Sequence, residues 1–434
     1  MAQRLTSTPS PLECVTAILG DMPKRHAICI VVDGLRASAL GCYGNTWAAT
    51  PGLDRIASQS IVMDWLWSDS PYLSDFYHSI WHGCPAWSTS NDDPPLPAAL
   101  MQAGVEVTCV TDEPELTAIS PEFERFRVVR APPPNGRASL ASETSISRVL
   151  ETTTLHLAET LLGDKADDGK SKLCWVHARG MHGAWDAPIA EQAALLDVDD
   201  PSPMEILAPP ERIETSDPDE MLAYRAAYAA QVSMLDIALT GMLSVLAEWR
   251  VARETLVILV GARGFALGEH GLIGRQCDDL FGEMLHVPCL ANVVDWQAPR
   301  RCERLLQPFD LHGMLARWFG VCGNSELPDD ITPVDELLGQ LRGRDVAISR
   351  NRRGQQAMRT PAWLLIHRAA KSSAATGQCE LFVKPDDRWE ANEISSLRGE
   401  IVERLLALDS VDSWPPVGNL LAGQTDPALT QPER

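Results

Sequence analysis

Short apolar runs alternate with stretches of helical period along most of the chain. The run His26-Ala-Ile-Cys-Ile-Val-Val32 predicts a fully buried strand, with Asp33-Gly34 where that strand should end. Similar runs predict strands at Ile61 to Leu66, Val105 to Thr111, Phe126 to Val129, Lys172 to His177, Thr255 to Val260 and His286 to Val293. Between them, Thr50-Pro51-Gly52-Leu53 opens a helix with Thr50 as its cap and Pro51 in its first turn. Met221 to Trp249 is a long amphipathic helix rich in Ala, Leu and Met, preceded by a Pro- and Asp-rich surface loop over Asp197 to Pro218. This alternation predicts an α/β fold: a mainly parallel sheet in a three-layer sandwich, with helices on both faces.

The pattern changes after Asp310. A helix over Asp310 to Phe319 leads through a polar stretch, Gly323 to Pro333, into short strands at Val346 to Ser349, Ala362 to His367 and Glu380 to Val383, and a closing helix at Ser395 to Leu408. The expected organisation is therefore an N-terminal extension (1–24), an α/β domain (25–322), a smaller C-terminal α+β subdomain (323–410) and a Pro- and Gly-rich tail (411–434) that is partly disordered.

Composition narrows the function classes. Of 434 residues, 37 are basic and 59 acidic, a formal charge of −22, which speaks against a protein that grips nucleic-acid phosphates. No apolar run approaches the length of a membrane span, and the polar start of the chain has no signal-peptide pattern. Eleven cysteines, an odd number without a CxxC pair, read as free thiols in a reducing cytoplasm.

Chemistry in open α/β sheets gathers at the carboxyl ends of the strands. Four such ends carry candidates: Asp33; His177 to Asp186, with two histidines; Gly261-Ala262-Arg263-Gly264 with the following Leu267-Gly268-Glu269-His270-Gly271; and Ser70 to Gly83. His78 and His82 share one helical face at the spacing of a zinc pair, but without the Glu of an HExxH motif they read as packing residues.

Together these blocks resemble the sulfatase family of the alkaline-phosphatase superfamily. Ile30-Val31-Val32-Asp33-Gly34-Leu35-Arg36-Ala37, with Leu40-Gly41-Cys42-Tyr43-Gly44-Asn45 and Thr50 to Asp54, is similar to the family's N-terminal signature. Leu267 to Arg275 is similar to its LGxHG block, and Arg359 to Trp363 with Glu380 to Asp387 to its C-terminal subdomain. The resemblance spans about residues 26 to 405 and implies an alkaline-phosphatase-like fold.

Against that pattern the catalytic positions depart one after another. The resemblance places Leu73 at the nucleophile that the family oxidises to formylglycine, and a leucine has no atom able to attack. It places Tyr77 at the arginine that stabilises the nucleophile. Of the residues that hold the family's calcium-like cation only Asp33 is retained, with Gly34, Ala262 and Arg263 in place of the others. Thr111-Asp112-Glu113-Pro114 stands loosely where a Lys and a His are expected. His182, at the substrate-binding histidine, and Arg275, at a sulfate-contacting lysine, remain. The expectation is a sulfatase-like protein without cofactor or family calcium, a catalytically silent scaffold that binds a protein or a small anion and neither nucleic acid nor membrane. The alternative is a sulfate or phosphate ester hydrolase with a non-standard metal site and Ser70, Ser74 or Tyr77 as nucleophile. Charge balance further predicts that Arg263 turns inward to pair with Asp33, the competing arrangement being a solvent-facing Arg263 and a turn-capping Asp33. Thirteen tryptophans, among them Trp65, Trp67, Trp81, Trp87 and Trp185, either fill the vacated cleft or line a pocket for another ligand.

Overall fold

The computed structural model describes residues 25–88, 94–114, 116, 127–130, 136–162, 169–249, 255–276, 278–293, 299–321, 339, 341, 343–368, 378–409 and 427–430. The extension 1–24, the stretch Gly323 to Pro333, residues 411–426 of the tail, and Cys14, Cys277 and Cys322 lie outside them. The strands are β1 (His26–Val32), β2 (Ile61–Trp67), β3 (Glu106–Thr111), β4 (Arg127–Arg130), β5 (Lys172–Ala178), β6 (Ile213–Glu214), β7 (Thr255–Gly261), β8 (Ala266–Leu267), β9 (Leu272–Gly274), β10 (His286–Val287), β11 (Cys289–Val293) and β12 (Arg300–Leu306). A C-terminal group follows: β13 (Ala347–Arg350), β14 (Gln355–Arg359), β15 (Trp363–Arg368) and β16 (Gln378–Val383).

The main sheet runs β2-β11-β7-β1-β5-β3-β4, with β10 and β12 also paired to β2. From β7 to β4 it is parallel, and β11 is antiparallel to both its neighbours. The sequence reads His286 to Val293 as one strand; Pro288 divides it, because proline has no N–H to give the ladder. The β12 strand carries exposed charges at Arg300, Arg301, Glu303 and Arg304, so its apolar pattern is faint and the sequence does not announce it. Nor does it announce β14, Gln-Gln-Ala-Met-Arg, which holds the antiparallel sheet β13-β14-β15-β16 together.

All seven residues of β1 are buried, and successive side chains enter opposite cores. Ala27, Cys29 and Val31 join the core beneath helices α2 (Leu73–His82), α3 (Leu96–Gln102) and α6 (Pro308–Trp318). Ile28, Ile30 and Val32 join the opposite core beneath α1 (Pro51–Ala57), α4 (Ser145–Leu161) and α5 (Pro218–Glu248). Both faces of the sheet are thus covered, as continuous apolar parallel strands require. By length and composition alone α5 could cross a membrane, yet Tyr228, Val232, Leu235 and Leu239 are buried in the second core. Helix α7 (Gly399–Asp409) and the turn Pro427–Thr430 pack on the antiparallel sheet, where Leu429 is buried and the Trp363 indole N–H bonds the Ala428 carbonyl at 3.0 Å.

One local expectation is corrected. The Thr50 side chain does not cap α1 but accepts the Gly41 N–H at 2.9 Å. The cap comes from α5, where the Asp236 carboxylate accepts the N–H groups of Gly52 (3.0 Å) and Leu53 (2.5 Å). Replacing Asp236 by Ala should lower the unfolding free energy by about 1–2 kcal/mol, the usual worth of such a cap, in urea denaturation.

Candidate functional site

The parallel register sets Val32 of β1 beside Ala178 of β5 and Gly261 of β7, so the residues that follow these strands meet at one edge of the sheet. Asp33 sits there with 2% of its surface exposed. Arg263 faces it with a planar fork: Nε donates to Oδ1 and Nη2 to Oδ2, both at 2.9 Å. Its third nitrogen, Nη1, donates to the Pro71 carbonyl at 3.4 Å, tying the strand-end carboxylate to the segment that enters α2. The inward-turned arginine expected from charge balance is therefore what the chain adopts.

Burial by itself would oppose ionisation of Asp33, but the charge and hydrogen bonds of Arg263 outweigh it and hold the carboxyl well below the usual range. His182 lies against the same carboxylate, Nδ1 at 3.6 Å from Oδ2, with Nε2 3.4 Å from the Gly264 carbonyl. Burial pushes its pKa down to about 3, against the pull of Asp33, so at neutral pH this is a polar contact and not an ion pair. Arg275 donates to the His182 carbonyl at 3.4 Å but spends its other end on Glu211 at the surface.

The nucleophile segment is closed as well. Leu73 is the first residue of α2 and is buried. Tyr77, one turn on, has its hydroxyl 2.8 Å from His177 Nδ1 and accepts the Trp175 indole N–H at 3.4 Å, with the Trp81 ring 4.7 Å away. Burial lowers the His177 pKa to about 4. Trp81 and Trp185 are core residues, on opposite faces of the sheet; Trp67 is a buried core residue that, with Trp65, also lines a separate cavity, and Trp87 packs against the core of the antiparallel subdomain. Asp112 and Glu113 occupy the end of β3 and hold Arg179, through its backbone N–H at 2.8 Å and its guanidinium at 3.0 Å.

A hard divalent cation needs six to eight oxygen ligands. Both oxygens of Asp33 already serve Arg263, and Ala262 offers no donor. Gly34 has φ +75°, and a Cβ built there overlaps the His182 ring. The residues present do not fit the family's cation. Another trio of suitable spacing, His270, Glu283 and Glu390, went unnoticed in the sequence because Glu390 lies far along the chain. It too is internally matched: His270 Nδ1 stands 2.7 Å from Glu283, and Lys384 pairs with Glu390. Of the alternative nucleophiles, Ser70 donates to Asp75 at 2.6 Å and Ser74 to the same carboxylate at 3.0 Å. Ser74 also accepts from Arg352 at 3.0 Å, and Arg352 stands 3.6 Å from Asp75. His78 and His82 lie ring to ring at 4.9 Å, with Cys84 Sγ 3.7 Å from His78.

Comparison with known proteins follows the same lines. A family model described as Sulfatase matches residues 25–321. Among solved structures the chain is similar to a phosphonate monoester hydrolase of Agrobacterium radiobacter, at 16% identity over 89% of this chain and 95% of that one, with a TM-score of 0.67. It is similar to a protein solved with its substrate D-glucosamine-2-N,6-O-disulfate, at 16% identity over 89% and 97%, TM-score 0.65. It is also similar to a 2-O GAG sulfatase, at 16% over 89% and 91%, TM-score 0.64. These likenesses establish the alkaline-phosphatase-like fold with its C-terminal antiparallel subdomain. No curated protein sequence matches the chain.

Two measurements check the electrostatics. Arg263→Ala strands a buried carboxylate and should cost about 3–5 kcal/mol in urea denaturation, whereas the double change Asp33→Leu with Arg263→Met should cost much less. Lowered histidine pKa values in the fold mean that the unfolded chain binds more protons below pH about 6.5. His177, His182 and His286 (the last lowered to about 4 by burial) should therefore make stability fall as pH drops below about 6.5, by up to roughly 1.4 kcal/mol per pH unit each, while Asp69 and Asp112, whose carboxyls burial raises to about 6, oppose them below that pH. Asp33 adds nothing above about pH 5, being ionised in both states there. Replacing His182 by Gln should flatten the slope.

Proposed function

The chain belongs to the sulfatase family, and we propose that within it this protein is catalytically silent, a pseudoenzyme whose scaffold serves binding or regulation. The observation that carries this reading is the bidentate contact of Arg263 with Asp33. A guanidinium balances the charge of a carboxylate, but it has no open coordination position: it cannot bind water or a sulfate oxygen as a Lewis acid does. Leu73 supplies no nucleophile, and the Tyr77 hydroxyl is buried against His177, with burial pushing its pKa well above the ordinary phenol value. Asp112 and Glu113 add negative charge near the place where an anionic ester would approach. The acidic net charge supports a partner that is a protein or a small molecule rather than a nucleic acid.

A second reading rests on Ser74, whose hydroxyl meets both Asp75 and Arg352. The Asp75 carboxylate would take the proton as Ser74 Oγ bonds the phosphorus or sulfur and the ester's P–O or S–O bond breaks, the alcohol leaving with its oxygen, and Arg352 would face the remaining ester oxygens. Against it, Arg352 donates to Ser74 itself, which draws electron density away from the attacking oxygen.

Turnover of nitrophenyl sulfate and nitrophenyl phosphate by the purified full chain decides between them. The silent reading expects no rate above background, with calcium, magnesium or chelator, and no stoichiometric divalent metal in the protein as isolated. Hydrolysis that disappears in Ser74→Ala would overturn it in favour of the second.

A further inference from the structure

Between the main sheet and the antiparallel subdomain lies a cavity of about 590 Å³, large enough for a small organic molecule. None of Asp33, Leu73, His182 or Arg263 lines it. Its walls bring together Trp65 and Trp67 from β2, His286 from β10, Arg359 from β14, and Arg388 and Trp389 beyond β16. His286 stacks on Trp65, ring centroids 5.1 Å apart, and its Nε2 lies 2.8 Å from the Asp64 carbonyl.

Arg359 is the anomaly. It is 2% exposed, and its Nε and Nη1 have no hydrogen-bond acceptor among the described residues. The guanidinium lies over the rings of Trp65 and Trp67, Cζ 5.1 and 5.8 Å from their centroids. The Trp67 indole N–H, on the same wall, is likewise buried without an acceptor among the described residues. Native chains satisfy nearly all buried donors, and a buried cation lacking an anion is costlier still.

The charges around the cavity sharpen the point. Arg301 pairs with Asp64, Lys384 with Glu390, and Glu283 with His270. Arg359 and Arg388 are left with no carboxylate bonded to them among the described residues; Arg388 donates instead to the Tyr43 carbonyl at 2.8 Å. The idle donors are closed to water, and water elsewhere in the cavity balances no charge. Burial draws the Arg359 pKa down to about 9 against the pull of Glu390, which leaves the group charged at neutral pH.

We propose that this cavity binds an organic anion: an oxyanion head, as in a carboxylate, phosphate or sulfate, meets the guanidinium groups of Arg359 and Arg388, which both line it, while a ring-bearing body lies against Trp65 and Trp389. The site gives the binding role of the previous subsection a ligand class, but it does not depend on catalytic silence, since a working hydrolase could hold the same ligand there. Equilibrium binding reads it without reference to turnover, so the two readings fail separately.

The test uses the full chain and titration calorimetry with naphthoate, naphthyl phosphate and naphthyl sulfate, set against neutral naphthol and inorganic phosphate. At least one naphthyl anion should bind one-to-one and raise Tm, while naphthol and inorganic phosphate bind at least about 10-fold more weakly; the three heads distinguish the source of the oxyanion. Arg359→Met should weaken that binding about 10- to 100-fold, the span of a charge-assisted hydrogen bond, and leave the Tm of the free protein unchanged or raised. A purely structural arginine would instead lower Tm. Arg388→Met, which removes the second cation at an exposed position, should weaken binding about 3- to 10-fold and serves as the second variant should Arg359→Met not fold. Absence of binding by all three anions, equal binding of naphthol, equal binding of inorganic phosphate, or unchanged affinity in the folded variants each overturns the proposal.

Discussion

The centre of the molecule is a buried carboxylate that must have a counter-charge. Asp33 follows the middle strand of a sheet covered on both faces, where an unpaired anion is prohibitive. Arg263, from the neighbouring strand, meets that need with two parallel hydrogen bonds and reaches on to Pro71. A cation that belongs to the chain is present whenever the chain is folded. It holds the strand ends and the entry to α2 in one arrangement, and it leaves no position open for a ligand of its own.

The same matching extends outward. Groups that could have faced a bound anion are committed to protein partners: Tyr77 to His177, Arg179 to Asp112 and Glu113, Arg275 to Glu211 and the His182 carbonyl. Beside the antiparallel subdomain the balance is reversed. There Arg359 and Arg388 line a cavity walled by aromatic rings, with no carboxylate among the described residues bonded to either. One part of the fold is electrostatically complete and another is not, and the incomplete part is the place to look for a ligand.

Several errors of sequence reasoning share one cause. Thr50 has the identity of a helix cap, yet Asp236 performs the capping from a helix remote in sequence. The strands β12 and β14 are rich in charged or amide side chains, so their place in the sheets is decided by neighbours and not by their own apolar pattern. Arg359 was visible only as part of a family-like segment, because its significance needs β2 and β14 to be brought together.

By itself the sequence determined the buried strands, since uninterrupted apolar runs have few other places to go, and it determined which atoms are missing: a leucine at position 73 and an alanine at 262 are inert in any conformation. It also made the Asp33–Arg263 pair predictable, because a buried charge demands an opposite one. Which donors find acceptors, and which cations are left lining a cavity, was decided only by the tertiary structure. Hydrogen bonds and ion pairs act over a few ångströms, and the residues that come within that range are set by the packing of the sheets and helices, not by their separation along the chain.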